Sequence, residues 1–593
     1  MARTPKAIAV MVWMLSATNV AEANGFYQGT PAEPYAVPGG EPDTVTPSQD
    51  SGQATVPDLE NLPDQPPPPH RPLLDEVLQT DENTPEIRTL REAGSTNPLS
   101  PPLINVMGLQ TTANPPDPVG DVGRQHYIQM LNATLYQVFD KRGQPLTTPR
   151  LLSGLWLGQP DTPGNRACSR NHGDPVVIYD HLADRWVMSQ FAQSGEWSQG
   201  QFKSPFYLCV AVSQTDDPVV GGWYVYAFEL PQFPDYPKLG LWPDGYYLSS
   251  VYNNRLYATV FERSRMLTGE PARSAQFELP ALGAPGVRDT RMLPADLDGD
   301  PPLPGTPHYF VRTVDDRQDP ARPVDRIELY AFRADFTRNL FSFKKHGELT
   351  VKNGLSPFDI MTCNRSGSEP ANPRDCIPQP GPVGTLDALS NRPMMSLKFR
   401  RFDEGREFLV FNQTVNVQDG LRLSDGSPPL KEVAGIRWYQ LGRQSRGRWQ
   451  MAAQGTYAPQ PAAVTRESSF IHRWMGSLAM DGAGNLALAY HLVNGDARVG
   501  RRLFPGIAYT GRLHQDPPER LTMPEQWIKR GTQLQWPANE ASGLGQRWGD
   551  YSSLSVDPVD DCTFWYTQHL ASGRGAYRKT RIASFRFEGC RKH

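Results

Sequence analysis

An all-β fold built as a ring of like sheets is what this sequence predicts, on three observations. Short apolar or alternating runs bounded by Gly, Asp and Pro recur from His126 to Phe587, and no long helical stripe competes with them. The unit Arg547-Trp-Gly-Asp-Tyr-Ser-Ser-Leu-Ser-Val-Asp557, followed by Cys562-Thr-Phe-Trp-Tyr-Thr567, shares its grammar with Arg473-Trp-Met-Gly-Ser-Leu-Ala-Met-Asp481 and Gly484-Asn-Leu-Ala-Leu-Ala-Tyr490. Looser copies open at Gly120, Gly173 and Tyr236, and weaker ones near Gly305 and Arg392. Each of these seven units spans roughly 70 residues, enough for a four-stranded sheet in a ring, so the expected fold is a seven-bladed β-propeller.

Taken in order, the chain predicts three regions. Residues 1–23 read as an export signal: Arg3 and Lys6 make a basic start, Ala7 to Ala17 an apolar core, and Ala21-Glu-Ala23 a small-x-small cleavage site. Residues 24–102 are rich in Pro, Glu, Asp, Thr and Gln, and such a composition buries too little apolar surface to offset its ordering entropy, so a disordered Pro-rich tether is expected. Within it Thr84 to Ala93 has the cap chemistry of a short helix, with Thr84 as N-cap and Pro85 at N1. Residues 103–593 carry the propeller. Its innermost strands are crowded by their counterparts and favour small residues, as in Gly476-Ser-Leu-Ala479, while Trp and Tyr on later strands fill the wedge between blades.

Composition narrows the function classes. A net charge of -4 gives no long-range attraction for nucleic acid or an anionic membrane. After the signal no stretch is long and apolar enough to span a bilayer. Six cysteines in an exported chain point to three disulfides, and spacing nominates Cys168 with Cys209, Cys363 with Cys376 and Cys562 with Cys590, although spacing alone leaves the pairing open. No zinc spacing, HExxH, phosphate loop, GxSxG elbow or dinucleotide fingerprint is present.

Pro115-Pro-Asp-Pro-Val-Gly-Asp-Val-Gly with His126-Tyr, Gly173-Asp-Pro-Val-Val-Ile-Tyr-Asp with Asp184-Arg-Trp, Tyr236-Pro-Lys-Leu-Gly with Trp242-Pro-Asp-Gly-Tyr-Tyr, and Arg547-Trp-Gly-Asp-Tyr-Ser-Ser together carry a resemblance. Over about residues 103–590 the chain resembles a group of large secreted bacterial propeller-like proteins. The resemblance implies the fold and brings no activity with it. The Asp-box of sialidases and the WD and kelch signatures are absent.

Propellers hold ligands where the loops leading into the innermost strands converge, so the residues just before those strands are the candidates: Asp117, Asp121, Asp174, Lys238, Asp244, Arg473, Arg547 and Asp550, with His126, His172 and His472 nearby. Two carboxylates at suitable separation cut a glycosidic bond as acid and base, and the catalytic set expected for such a reaction is Asp550 with Asp174 or Asp121. A His with a Tyr would instead serve a lyase. The competing reading gives each Asp to turn amides and each Arg to a neighbouring carboxylate or ring. Asp550 is singled out because the sister repeat has Ser477 at the corresponding place in the Arg-Trp unit. Trp242 and Tyr246 are expected as exposed stacking platforms. Asp296-Leu-Asp-Gly-Asp300 resembles the opening of a calcium loop, with Asp296, Asp298 and Asp300 as ligands, but Gly299 and Pro307 depart from the EF-hand order. The leading reading is recognition of an extracellular polymer or cell-envelope component at the channel mouth. A glycoside hydrolase or polysaccharide lyase, and a structural surface protein, are the rivals.

Overall fold

The computed structural model describes residues 26–37, 75–81, 99–132, 134–194, 203–279, 282, 291–363, 375–381, 384–536, 547–571, 573 and 577–591. The export signal and the helix expected at 84–93 lie outside the described residues. Within them the fold is all-β, apart from short helical turns.

Seven antiparallel meanders follow one another. Their first strands are Val119–Val122 (meander I), Val176–Asp180 (II), Asp235–Trp242 (III), Met292–Gly299 (IV), Pro393–Arg401 (V), Ile471–Met480 (VI) and Ser553–Val556 (VII). Each first strand contacts the next, and that of VII contacts that of I. The fourth strand of VII comes from the other end of the chain: Ile104–Thr111 pairs antiparallel with Arg578–Arg586. Meanders IV and V pair directly through their first strands, Ala295 opposite Leu397 and Gly299 opposite Arg401, in parallel register. Elsewhere side chains bridge neighbouring first strands. Ser553 Oγ accepts from Gly120 N at 2.8 Å, and Ser477 Oγ from Leu554 N at 3.0 Å. A Cβ on Gly240 would strike the Ala295 carbonyl of the next meander, which is the crowding that the small-residue pattern implied.

Two boundaries differ from expectation. The fourth unit starts at Met292 rather than near Gly305, because Asp296-Leu-Asp-Gly is the end of a first strand and not a loop. Three pieces of the expected tether form edge strands: Phe26–Gln28 on meander III, Tyr35–Val37 on II, and Leu78–Gln79 on V. An outer strand offers a row of free N–H and C=O groups, and a short extended segment satisfies them without needing apolar side chains. Composition therefore gave no sign of this pairing.

The largest hydrophobic cluster runs through meanders I to V and includes Trp156, Trp186 and Trp242, while Trp438, Trp474 and Trp548 are almost wholly buried in smaller neighbouring clusters. The three nominated disulfides, Cys168–Cys209, Cys363–Cys376 and Cys562–Cys590, are all formed. No helix among the described residues is long and apolar enough to cross a membrane.

Candidate active site

In or just before five first strands the backbone turns through left-handed φ at a residue other than glycine: Asp117 (44°), Asp174 (49°), Tyr236 (52°), Met475 (52°) and Asp550 (67°). Asp117, Asp174 and Tyr236 also precede proline, which ordinarily holds the residue before it in extended conformation. Such conformations cost of order 1–3 kcal/mol each and persist where the surroundings over-determine them. Four of these five residues lie in one charged cluster.

Asp117, from the lead into meander I, is about 1% exposed, and neither of its carboxylate oxygens has a hydrogen-bond partner among the described residues. Asp174, from the lead into II, accepts a hydrogen bond from the Tyr551 hydroxyl. Asp550 is ion-paired with Arg547, whose Nε also lies 3.7 Å from Asp387 Oδ2. Lys238, from the first strand of III, is buried with its Nζ 3.5 Å from the ring centre of Tyr236 and 3.4 Å from that of Tyr551, and donates to Pro237 O at 3.1 Å. Arg392 and Arg291 approach the Tyr236 ring at 4.8 and 5.9 Å, and the Tyr236 hydroxyl donates to Asp550 O at 3.3 Å. The side chain of Arg547 is 23% exposed and Asp174 is partly exposed, so these two form the outer edge, with Asp117 and Lys238 beneath.

The electrostatics divide the carboxyls. Burial first, then the charges of Asp174 and Asp550, push Asp117 well above the carboxylate range against the pull of Arg547 and Lys238. Burial raises Asp174 to about 6, against the Tyr551 hydroxyl and Lys238. Burial also drives Lys238 well below the usual lysine range, outweighing the three aspartates. One end of the first strands thus holds two carboxyls that keep their protons to unusually high pH, beside a third that is ion-paired to an arginine.

Of the residues singled out in the sequence, Asp117, Asp174, Lys238, Arg547 and Asp550 meet here, and the others do not. Asp121 lies further along its strand, where Tyr179 N donates to its Oδ2 at 2.7 Å and Val122 N to its Oδ1 at 2.8 Å; it braces meander II and is not part of the set with Asp174 and Asp550. Arg473 pairs with Glu525 at 2.8 Å, away from the cluster. Asp244 sits at the far end of its strand and accepts from the Tyr247 hydroxyl at 3.0 Å. Trp242 and Tyr246 are not exposed platforms: both are about 1% exposed, with Trp242 Nε1 donating to Thr306 O and the Tyr246 hydroxyl to Asp180. In each the strand alternation turns the ring into the core. His126 opens the second strand of meander I opposite Asp140. His172 and His472 are held down to about 4 and 3 by burial. Ser477 is not the counterpart of Asp550, because it makes the inter-strand bond that Ser553 makes in the next meander.

The stretch expected as a calcium loop is the end of a strand. Asp296 and Asp298 face Lys398, whose Nζ lies 2.7 Å and 3.5 Å from them, and Asp300 is exposed and paired with Arg401 at 3.3 Å. A lysine ammonium stands where the cation was expected. Sequence reasoning missed Tyr236, Tyr551, Arg291, Asp387 and Arg392. Tyr236 and Tyr551 had a usable signal, since Tyr551 adjoins Asp550 and Tyr236 lies two residues before Lys238.

The sequence matches no protein-family model and no curated protein. Among solved structures it is similar to a thermostable family-43 glycoside hydrolase (10% identity, 71% of this chain and 96% of that one, TM-score 0.25). It is also similar to an α-L-arabinanase of Penicillium chrysogenum complexed with arabinobiose (11%, 60% and 94%, TM-score 0.27) and to the polysaccharide lyase Uly1 (8%, 80% and 90%, TM-score 0.28). A likeness this loose gives no residue of this chain a role.

Proposed function

We propose that this chain is an exported seven-bladed β-propeller that cleaves a carbohydrate polymer by acid–base chemistry at its axial carboxylate cluster. The observation that carries the reading is the convergence of Asp117, Asp174 and Asp550, from the leads into three different meanders, at one end of the first strands. Chain order and the contacts around the first strands support seven blades closed by Ile104–Thr111, and the three disulfides support export. In this reading Asp174, raised to about 6, gives its proton to the leaving glycosidic oxygen. Asp550, ion-paired with Arg547, takes the proton of the attacking water. Asp117 stays protonated beneath them and limits the charge the site accumulates. The burial of Trp242 and Tyr246 withdraws the stacking platforms that recognition without chemistry would have used.

The burial of Asp117, Lys238 and Asp550 favours a second reading, in which the cluster is a structural axial plug. One experiment separates the readings. The protein, Asp174→Asn and Asp550→Asn are incubated with a polysaccharide panel while released reducing ends and retained protein are followed together. Acid–base chemistry predicts cleavage by the parent and a loss of about 100-fold or more in either variant. Retention without cleavage, equal in all three, returns the protein to recognition, and neither retention nor cleavage supports the plug.

A further inference from the structure

Arg473 occupies in meander VI the place that Arg547 occupies in VII, yet the axial cluster does not use it. It lies instead at the floor of a cavity of about 730 Å³ between meanders V and VI. The cavity is framed by the link between the second and third strands of V (residues 417–433) and the link from V to VI (458–470). In an antiparallel meander both links fall at the end where first strands begin, which is the face that carries the axial cluster. Thr80 and Asp81 complete the wall. They are held there by the pairing of Leu78–Gln79 with Thr456–Tyr457 and by Gln460 N donating to Thr80 O at 2.9 Å.

The lining has a distinct chemistry. Arg422 and Arg473 are matched by Asp81 and Glu525, so the cavity has no net charge with which to select a polyanion. Glu525 Oε2 accepts from both Arg473 Nε and the Tyr490 hydroxyl at 2.8 Å, which fixes the floor. Gln460 is fixed by exchanging hydrogen bonds with Ile471 N and O at 2.8 and 2.9 Å. Donors and acceptors alternate with the apolar surfaces of Pro459, Pro461 and Phe470, a combination suited to hydroxyls that both donate and accept and to the C–H faces of a sugar ring.

We infer that this cavity is a second saccharide-binding site, which holds a neutral stretch of the same polymer chain whose bond lies over the axial cluster. The inference rests on the carbohydrate reading of that cluster and adds the substrate class, a neutral glycan long enough to reach both places. The N-terminal segment becomes part of the binding face through Thr80 and Asp81.

The test is direct binding of neutral xylan, β-glucan and arabinan fragments of graded length, with polygalacturonate fragments as the anionic counterpart, to the parent, Ala462→Trp and Arg422→Ala. Ala462 and Arg422 are exposed, so neither substitution disturbs the core. Affinity of the parent should rise with the length of a neutral fragment, and Ala462→Trp, which fills the cavity, should remove at least about tenfold of that gain while leaving the shortest fragments unchanged. Arg422→Ala should do the same more weakly. Equal length dependence in parent and Ala462→Trp overturns the second site while the axial reading stands. Preference for polygalacturonate overturns the neutral class, and no binding of any fragment sinks both this inference and the carbohydrate reading beneath it.

Discussion

Two layers of buried charge lie along the first strands, and they solve the same physical problem differently. In the layer further along the strands, Asp121, Asp296 and Asp298 share Lys398, while Arg400 pairs with Asp561 at 2.7 Å. Carboxylates here also take backbone N–H groups of adjacent meanders: Asp121 that of Tyr179, and Asp296 that of Leu241 at 3.0 Å. In the layer at the strand starts, neither carboxylate oxygen of Asp117 has a hydrogen-bond partner among the described residues, Lys238 is caged by two rings, and Asp117, Asp174 and Asp550 all occupy left-handed backbone. A buried carboxyl that ties neighbouring strands together serves the fold. Unsatisfied carboxylate oxygens occur in both layers, at Asp117 and at Asp298 Oδ2, but only at the strand starts do they coincide with left-handed backbone, and on the proposed reading that coincidence marks the site.

The sharpest way to break this contrast is Lys398→Met. It leaves Asp296 and Asp298 buried without their cation, and removal of one partner from such a set costs about 3–5 kcal/mol. Denaturant melts should show that loss or outright misfolding; a variant within about 1 kcal/mol of the parent would mean that the further layer is no more structural than the first.

Asp121 and Asp174 sharpen the comparison further, because burial pushes both to about 6. For each, the unfolded chain ionises near 3.9 while the folded chain keeps its proton, so the folded state binds more protons between about pH 4 and 6 and stability falls as pH rises through that window. Asparagine removes this penalty at both positions. At Asp174 the change gives up one carboxylate oxygen beside Tyr551 and one of the three charges facing Lys238 but no backbone bond, so Asp174→Asn should be more stable than the parent at pH 7, with a flatter curve between pH 4 and 6. At Asp121 the same change disturbs the bonds to Tyr179 N and Val122 N, and a net loss of about 1–2 kcal/mol is expected. Parallel urea titrations across pH check the pair, and equal responses would erase the distinction.

The repeat made the all-β class, the leads into the first strands and the three disulfides legible, because period-2 burial, turn chemistry and cysteine spacing act locally. What stayed illegible is what depends on position in three dimensions. Asp121 and Asp117 read alike in Asp117-Pro-Val-Gly-Asp121, yet the three residues between them separate a brace from the charged cluster. Trp242 and Tyr246 look like stacking residues until the hairpin alternation turns both into the core. The segments at 26–28, 35–37 and 78–79 are held by backbone pairing with a few isolated side-chain contacts, such as Phe26 on Phe277 and Gln79 on Leu521, too few to leave a periodic pattern.

Calcium tests the same contrast where the expected effect is smallest. Asp296-Leu-Asp-Gly-Asp300 has the composition of a cation loop, but as a strand it sends Asp296 and Asp298 to Lys398 and leaves Asp300 outside with Arg401. Calcium needs about 6–8 oxygen ligands, and a bound ammonium repels it. Millimolar calcium or a chelator should therefore leave the melting temperature unchanged, and Asp300→Asn should be neutral, as an exposed pair contributes at most about 1 kcal/mol. A calcium-dependent rise that disappears in Asp296→Asn would show that the lysine yields to a metal, and the further layer would then be a binding site in its own right.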